Sequence, residues 1–172
     1  MSTRRTTPGA GMTPQPRGPN GERLCRWCHG PVPKPRRTFC CDACVVEWNI
    51  RVDPQFARHR VEQRDHGVCG RCGLDTETLR YELQALRDAV RTTEQFHAWE
   101  QRWADLGLRP NRHLWEAHHK VAVVEGGGEC GLDGLETLCW RCHREETAGL
   151  ARRRAEARSP QMRLPLHGEG SS

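Results

Sequence analysis

Apolar residues recur every three or four positions in two neighbouring stretches of the chain. These residues are Leu79, Leu83, Leu86 and Val90, followed by Phe96, Trp99, Trp103 and Leu106. The spacing is typical of amphipathic helices that bury one face. Thr92 and Thr93 separate the stretches, and Gly107 and Pro110 mark the end of the second. The pattern predicts a helical hairpin over about residues 77–107, with its aromatic stripe packed inside.

A second pattern, later in the chain, predicts two strands followed by a helix. The strands are predicted through Val121 and Val123 and through Leu135 and Leu138, with a run of glycines between them. A helix is expected to begin near His143. Together the two patterns predict an α+β fold in which a small ββα unit carries a helical hairpin as an insertion.

Both ends of the chain differ in composition from its middle. Residues 1–22 are rich in Pro, Gly, Thr and Arg, and residues 159–172 look similar. Segments with so few large apolar residues cannot offset the entropy of ordering, so we predict two disordered tails. Between them we predict an N-terminal module with a linking helix over residues 23–68 and a second domain over residues 69–158.

Hydrophobic residues make up only 35% of the 172 residues, so burial alone would give a thin core. The ten cysteines are therefore candidates to hold the fold together. No stretch approaches the roughly 18 apolar residues of a membrane span, and the first residues show no hydrophobic signal core. We therefore expect a cytoplasmic protein. Thiols stay reduced there, so paired C-x-x-C spacings indicate metal ligands rather than disulfides.

The first cysteine group lies in CRWC and TFCCDAC. Cys25, Cys28, Cys40 and Cys44 are predicted to bind one structural zinc in a treble-clef-like module. A helix is expected to follow through Val45, Val46 and Trp48 toward Ile50. Cys41 is the weaker ligand candidate, because Cys40 and Cys44 would share a helical face and Cys41 would point away.

The second cysteine group consists of two C-x-x-C turns far apart in the chain. Cys69, Cys72, Cys139 and Cys142 supply the four soft ligands that tetrahedral Zn²⁺ needs. Closing so long a segment costs entropy, so this metal is expected to contribute to the folding of everything between the turns. Cys130 falls in neither group and is predicted to be a small buried residue.

Charge adds little to the prediction of a partner. The formal net charge is +5, but eight zinc-bound thiolates and two Zn²⁺ would leave about +1. Lys34 and Lys120 are the only lysines, and arginine suits bidentate phosphate contact. Arginines cluster near residues 58–64 and 141–158, where a solvated face and a phosphate-binding surface are both compatible with the pattern.

Histidine is concentrated at one place. His118 and His119 precede the glycine run, and His143 follows Cys142. Neighbouring residues of a regular strand face opposite sides, so joint use of His118 and His119 requires a local irregularity. His143 competes in principle as a zinc ligand, but four cysteines already complete that site, so we favour a separate metal role.

Residues 114–147, LWEAHHKVAVVEGGGECGLDGLETLCWRCHREET, resemble the HNH endonuclease family, whose active site is a ββα-metal finger. The resemblance rests on the W-x-x-H-H start, the V-x-x-G-G-G run and the L-x-T-L-C-x-x-C-H end. The preceding RDHGVCGRCGLDT, residues 64–76, is similar to the form of this family that carries a four-cysteine zinc. With the upstream cysteine elements, the resemblance covers most of residues 23–150.

The resemblance implies a role for each histidine. His119 would be the general base that deprotonates water, since an imidazole with a pKa of about 6.5 is largely neutral at working pH. His118 and His143 would bind one catalytic divalent metal, Mg²⁺ or Mn²⁺ in most of the family and Ni²⁺ or Zn²⁺ in some members. Two imidazole ligands favour the softer metals.

The chain departs from the family pattern at two places. The family asparagine that steadies the loop falls at Gly134, and Asp133 is predicted to replace it as loop anchor and site residue. After His143 the helix continues with Glu145 and Glu146, and Glu146 would repel a phosphate unless it points outward or reaches the metal.

The sequence therefore predicts a metal-dependent endonuclease that hydrolyses DNA phosphodiester bonds and contains two structural Zn²⁺. Arg141 and Arg144 are the predicted phosphate contacts. RNA remains open as a substrate. The alternatives are a zinc-stabilised nucleic-acid-binding module that has lost cleavage, supported by Gly134, and a protein-interaction scaffold built on Phe96, Trp99 and Trp103.

Overall fold

The computed structural model of the chain describes residues 14–158. The predicted tails over residues 1–13 and 159–172 lie outside this range. Residues 14–22, which composition assigned to the N-terminal tail, instead form a turn beside the first cysteine group. Arg17 pairs with Arg23 in an antiparallel bridge, and the Leu24 N–H donates to the Pro16 carbonyl at 2.9 Å. The N-terminal module therefore begins before residue 23.

The described residues form five α-helices and two strands. In chain order these are α1 (Asp42–Val52), α2 (Pro54–Asp65), α3 (Thr76–Asp88), α4 (Thr93–Asp105), β1 (Trp115–His119), β2 (Leu135–Cys139) and α5 (Trp140–Arg158). The α+β class is confirmed. No helix within residues 14–158 is both long and apolar enough to cross a membrane.

Side-chain caps fix where three of the helices begin. Asp53 and Asp75 each accept hydrogen bonds from two backbone N–H groups at the start of α2 and α3. Thr92 and Gln95 form a reciprocal capping box at the start of α4. Helices α3 and α4 are the predicted hairpin, with bounds within a residue or two of the expected 77–107 at both ends.

The larger core lies where the hairpin meets the finger. Its buried members are Cys69, Leu79, Leu83, Trp99, Trp103, Leu114, Leu138, Cys139, Trp140 and Cys142. The aromatic stripe of α4 is thus packed rather than available for stacking, as expected. The Trp99 indole N–H donates to the Leu83 carbonyl across the hairpin at 3.2 Å, which ties α4 to α3.

The two strands pair antiparallel, from Trp115 opposite Cys139 to His119 opposite Leu135. The predicted strand through Val121 and Val123 is therefore wrong. Val123 begins a short 3-10 turn and is 58% exposed. The strand lies earlier because β2 offers hydrogen-bonding partners only to residues 115–119, and the chain beyond must turn into the glycine-rich loop.

A second, smaller core covers the other face of the sheet. It consists of Ile50, Ala57, Val61, Trp115 and Leu135. Helices α1 and α2 therefore lie against one face of the sheet, while α5 and the hairpin lie against the other. Consecutive residues of β1 point alternately into these two environments.

Candidate active site

The first cysteine group forms a compact cluster of sulfur atoms. The Sγ atoms of Cys25, Cys28, Cys40 and Cys44 all lie within 4.8 Å of one another, with Cys28 to Cys40 at 3.5 Å and Cys40 to Cys44 at 3.4 Å. A tetrahedral Zn²⁺ with Zn–S bonds of about 2.3 Å needs sulfurs about 3.8 Å apart. These four residues can hold a zinc ion, as the spacing predicted.

Cys41 does not point away from this cluster. Its Sγ lies 3.5 Å from that of Cys44 and 3.8 Å from that of Cys40, although it is not one of the four mutually close sulfurs. The expected group of four ligands is the one that forms, but the expected direction of Cys41 was wrong because Cys40 is not in the helix. Helix α1 begins at Asp42 with Cys41 as its N-cap residue in extended conformation, so helical periodicity does not apply to Cys40 and Cys41.

The second group brings together the two distant C-x-x-C turns. The sulfurs of Cys69, Cys72, Cys139 and Cys142 lie within 4.8 Å of one another, and Cys72 and Cys139, 67 positions apart, are at 3.7 Å. The Gly70 N–H donates to the Thr137 carbonyl at 2.8 Å and holds the first turn against β2. This group can also hold a zinc ion. Cys130 belongs to neither group and packs against the smaller core.

Backbone N–H groups favour the thiolate form at both sites. Burial raises the pKa of Cys25, but N–H groups of Cys28, Cys40 and Trp27 outweigh it and lower the value to about 6. Burial likewise raises the pKa of Cys69, and N–H groups around the two turns lower it to about 7. At each site the N–H groups thus stabilise one thiolate, the form that Zn²⁺ binds. Contacts with neighbouring sulfurs and burial raise the pKa of Cys44, and burial together with such contacts raises the pKa of Cys142.

His118 and His143 come together on the face of the sheet covered by α5. Their ring centroids are 5.4 Å apart and the rings are nearly perpendicular. His118 is half-buried opposite Glu136 in the sheet register. Burial and the neighbouring His143 lower the pKa of His118, which keeps this imidazole neutral and able to bind a metal.

His119 lies on the opposite face of β1. It lines a small cavity with Ile50, Ala57, Leu135 and Cys130, on the side of α1 and α2. No local irregularity turns it toward His118 and His143, so the structure brings two of the three predicted imidazoles together. Within residues 14–158, the two cysteine groups are the only clusters of three or more His, Cys, Asp or Glu ligands.

An open groove runs past His143 along the first turns of α5. Arg144, Thr147, Arg112 and His113 line it together with His143. The structure places the predicted phosphate contact Arg144 in this groove. The other one, Arg141, does not line the groove; its guanidinium lies 5.1 Å from the Trp140 ring centroid.

The loop between the strands is not held by Asp133. That side chain is exposed and makes no hydrogen bond within the described part of the chain. The Lys120 N–H donates to the Gly134 carbonyl at 2.9 Å. From α2, the Arg64 guanidinium donates to the carbonyls of Leu132 at 2.7 Å and Leu135 at 2.8 Å. No sequence pattern indicates this role, because Arg64 lies in a cluster of arginines for which a solvated face and a phosphate-binding surface were the expected alternatives.

Arg71, which lies between the cysteines of the first C-x-x-C turn of the second group, partly neutralises the negative charge of Glu146. Its carboxylate accepts from Arg71 at 3.0 Å, and Glu145 pairs with the same guanidinium at 3.2 Å. The expected repulsion of a phosphate by Glu146 is therefore reduced by the positive charge beside it.

The order of these elements defines the class of site. Two antiparallel strands joined by a glycine-rich loop lead into a helix, with imidazoles on the first strand and on the first turn of the helix. This is the architecture of a ββα finger whose ends are held together by a four-cysteine group. Residues 108–149 match the family model of the HNH endonuclease, so the chain carries an HNH endonuclease domain.

The curated relatives share their name and differ in species. The chain is 34% identical over 153 residues to the mouse (Mus musculus) "DNA annealing helicase and endonuclease ZRANB3" and 29% identical to the human (Homo sapiens) protein of that name. Each match covers 80% of this chain and 14% of the relative. The chain thus spans about a seventh of their length. Comparison with solved structures gave no match.

Proposed function

We propose that this protein is a metal-dependent endonuclease of the HNH type that hydrolyses phosphodiester bonds of DNA. The observation that carries the proposal is the pairing of His118 with His143, with ring centroids 5.4 Å apart, outside both cysteine groups. Because the eight cysteines can hold two structural metals, these imidazoles are available to another ion, and His143 also lines an open groove.

The pair of imidazoles fits a divalent metal. His118 and His143 would hold it, and two protein ligands leave positions for water and phosphate oxygens. Such an ion supplies Lewis-acid stabilisation of negative charge on the phosphate and on the departing 3′ oxygen. Arg144, which lines the same groove as His143, would contact a neighbouring phosphate.

The position of His119 on the other face of β1 is compatible with a role as general base. Attack on phosphorus is in line, so the attacking water and the leaving oxygen lie on opposite sides of the phosphate. A base that acts on the water is therefore expected across the scissile phosphate from the groups that serve the leaving oxygen. His119 is the last residue of β1, so as the base it would act on a phosphate placed over that end of the strand.

DNA is the proposed substrate because the curated relatives carry DNA in their name. Of the activities in that name we propose only the endonuclease for this chain, since the match covers 14% of each relative. The second candidate function is a nucleic-acid-binding module without cleavage. Gly134 favours it, because the loop lacks the side chain that the HNH pattern expects at this position.

Nicking of supercoiled plasmid by the purified protein tests the proposal. The protein is incubated with Mg²⁺, Mn²⁺ or Ni²⁺, and wild type is compared with His118→Ala, His119→Ala and His143→Ala. Loss of a general base is expected to slow nicking about 10²–10⁴-fold. The matched control is His97→Ala, because His97 is an exposed histidine of α4 whose side-chain interactions within residues 14–158 are with Glu100 and neighbouring Phe96.

The two candidate functions give different outcomes. Equal nicking by wild type and His119→Ala would refute the assignment of the base. If no metal supports nicking while the protein still binds DNA, the binding module is the correct function.

A further inference from the structure

A cavity of about 450 Å³ lies beside the hairpin, away from both cysteine groups. Helices α2, α3 and α4 and the segment that enters β1 form its walls. Its floor contains buried Trp99, Trp103 and Leu114. Its volume falls within the range of sites that bind small molecules.

Positive charge predominates around this cavity. Four arginines and two glutamates line it, namely Arg58, Arg80, Arg87 and Arg112 with Glu62 and Glu77. Two of these arginines already have partners. Arg58 pairs with Glu116 at 2.8 Å and lies over the Trp115 ring, and Arg80 pairs with Glu77 at 2.9 Å.

The other two arginines have no carboxylate partner within residues 14–158. Arg87 lies 5.3 Å from the Trp99 ring centroid, at the hairpin side of the cavity. Arg112 stands on the segment that leads to β1, next to Asn111, whose φ of 62° marks a tight turn. Guanidinium groups that no carboxylate neutralises are available for an anion, and their fork geometry suits phosphate.

The cavity and the groove of the candidate active site share part of their lining. Arg112 and His113 line both the cavity and the groove that contains His143 and Arg144. A strand that occupied the groove would therefore lie beside the cavity. The shared lining favours a ligand that is part of the substrate over an unrelated small molecule.

The geometry points to a binding pocket for one unpaired nucleotide of the strand that lies in the groove. The inference rests on the proposed function and names the form of its substrate. The pocket is concave and has the size of a single nucleotide, so it excludes an intact duplex. Arg87 and Arg112 would bind the phosphates on either side of this nucleotide, and guanidinium planes beside aromatic rings suit a base that has left its stack.

Binding of labelled oligonucleotides tests the pocket. Affinity is measured by fluorescence anisotropy for a single strand and for a duplex of the same length, over a range of salt concentrations. All proteins carry His119→Ala and are studied without added divalent metal and without chelator, so that the strands stay intact and the zincs stay bound. The double variant Arg87→Gln/Arg112→Gln is compared with Arg91→Gln/Arg102→Gln, which removes two exposed arginines that line no described cavity.

The pocket variant is expected to bind the single strand about tenfold more weakly, and its slope of log affinity against log salt should fall by about 1.4, or about 0.7 per lost phosphate contact. The duplex should lose less than about twofold. Equal losses for both nucleic acids would identify a general charged surface and overturn the pocket. So would an unchanged single-strand affinity. Because the readout is binding, a failure of the nicking experiment does not alter it.

Discussion

At the scale of single residues, the side chain of Cys130 explains why position 134 is a glycine. A Cβ atom at position 134 would overlap the Cβ of Cys130 and lie 2.8 Å from its Sγ. The side chain of Cys130 therefore occupies the space that an asparagine would need. The loop does without that asparagine because Arg64 and the Lys120 N–H bind its carbonyls instead.

Restoring the family residue is therefore expected to harm the protein. Gly134→Asn should lower the free energy of unfolding by about 1–3 kcal/mol, the usual cost of overpacking. In urea unfolding, the cost should shrink by more than about 0.5 kcal/mol when Cys130→Gly is also present. The control is Gly149→Ala in α5, where a Cβ meets only ordinary contacts and the helix should gain about 0.5–1 kcal/mol. Additive costs at 134 and 130 would contradict this account.

At the scale of elements, two adjacent residues fasten α2 to the finger. Arg64 binds the loop carbonyls, and Asp65 accepts from the N–H of Thr137 at 3.1 Å and from its hydroxyl at 2.9 Å. Arg64 and Asp65 also pair with each other at 2.6 Å. Helix α2 thereby fixes both β2 and the loop that precedes it.

Asp65→Asn should weaken this attachment by about 1–3 kcal/mol, because the carboxylate is only 21% exposed and its partners lose a charged acceptor. The Arg64 guanidinium and the Thr137 donors lower the pKa of Asp65. A lowered pKa in the folded state gives stability that is complete above the unfolded value and is lost only as pH falls through the folded one. The loss of unfolding free energy caused by Asp65→Asn is therefore expected to be equal at about pH 6 and about pH 8.

Urea unfolding of the zinc-loaded protein at both pH values checks this expectation. Glu82→Gln, on the exposed side of α3, is the matched control and should cost less than about 0.5 kcal/mol. A cost for Asp65→Asn that changed between the two pH values would show that another group titrates with the attachment.

Sequence periodicity predicted some elements well and failed at others for physical reasons. The hairpin was predictable because each of its helices buries two residues of an apolar stripe. The stripe of α3 is only partly buried, since Leu86 is 47% exposed. The strand through Val121 and Val123 was not predictable, because only pairing with β2 decides where β1 begins and ends. Short apolar runs carry no information about their partner.

The same contrast holds for the site. C-x-x-C spacing predicted both sulfur clusters, since two residues between cysteines set a local turn. Three features of the site depend instead on contacts across the fold, which the sequence alone does not reveal. They are the environment of Cys41, the placement of His118 and His119 on opposite faces of β1, and the role of Arg64.

At the scale of the whole molecule, the second cysteine group closes the finger. Its two turns are 67 positions apart at Cys72 and Cys139, and they enclose the hairpin and β1. The hairpin shares its core with Leu138 and Trp140, which lie beside the second turn. Loss of this metal is therefore expected to unfold the hairpin together with the active site.

The double variant Cys69→Ser/Cys72→Ser tests this dependence. Elemental analysis should give one zinc per chain instead of two, and amides of α3 and α4 should lose protection from hydrogen exchange. Cys41→Ser is the matched control, because Cys41 lies outside both four-sulfur groups, and it should retain two zincs and the protection. Protected hairpin amides in a one-zinc protein would contradict the dependence.

Enclosure of the hairpin between the two turns has a consequence for redesign. An ion held by the four sulfurs would bind the chain on both sides of the insertion, so the two turns would stay together whatever the length of the helices between them. A foreign helical pair of another length could be grafted there if it brought an apolar face equivalent to that of Leu79, Leu83, Trp99 and Trp103. Because α3 and α4 line the cavity of about 450 Å³, exchange of the insertion is expected to change the shape of that cavity.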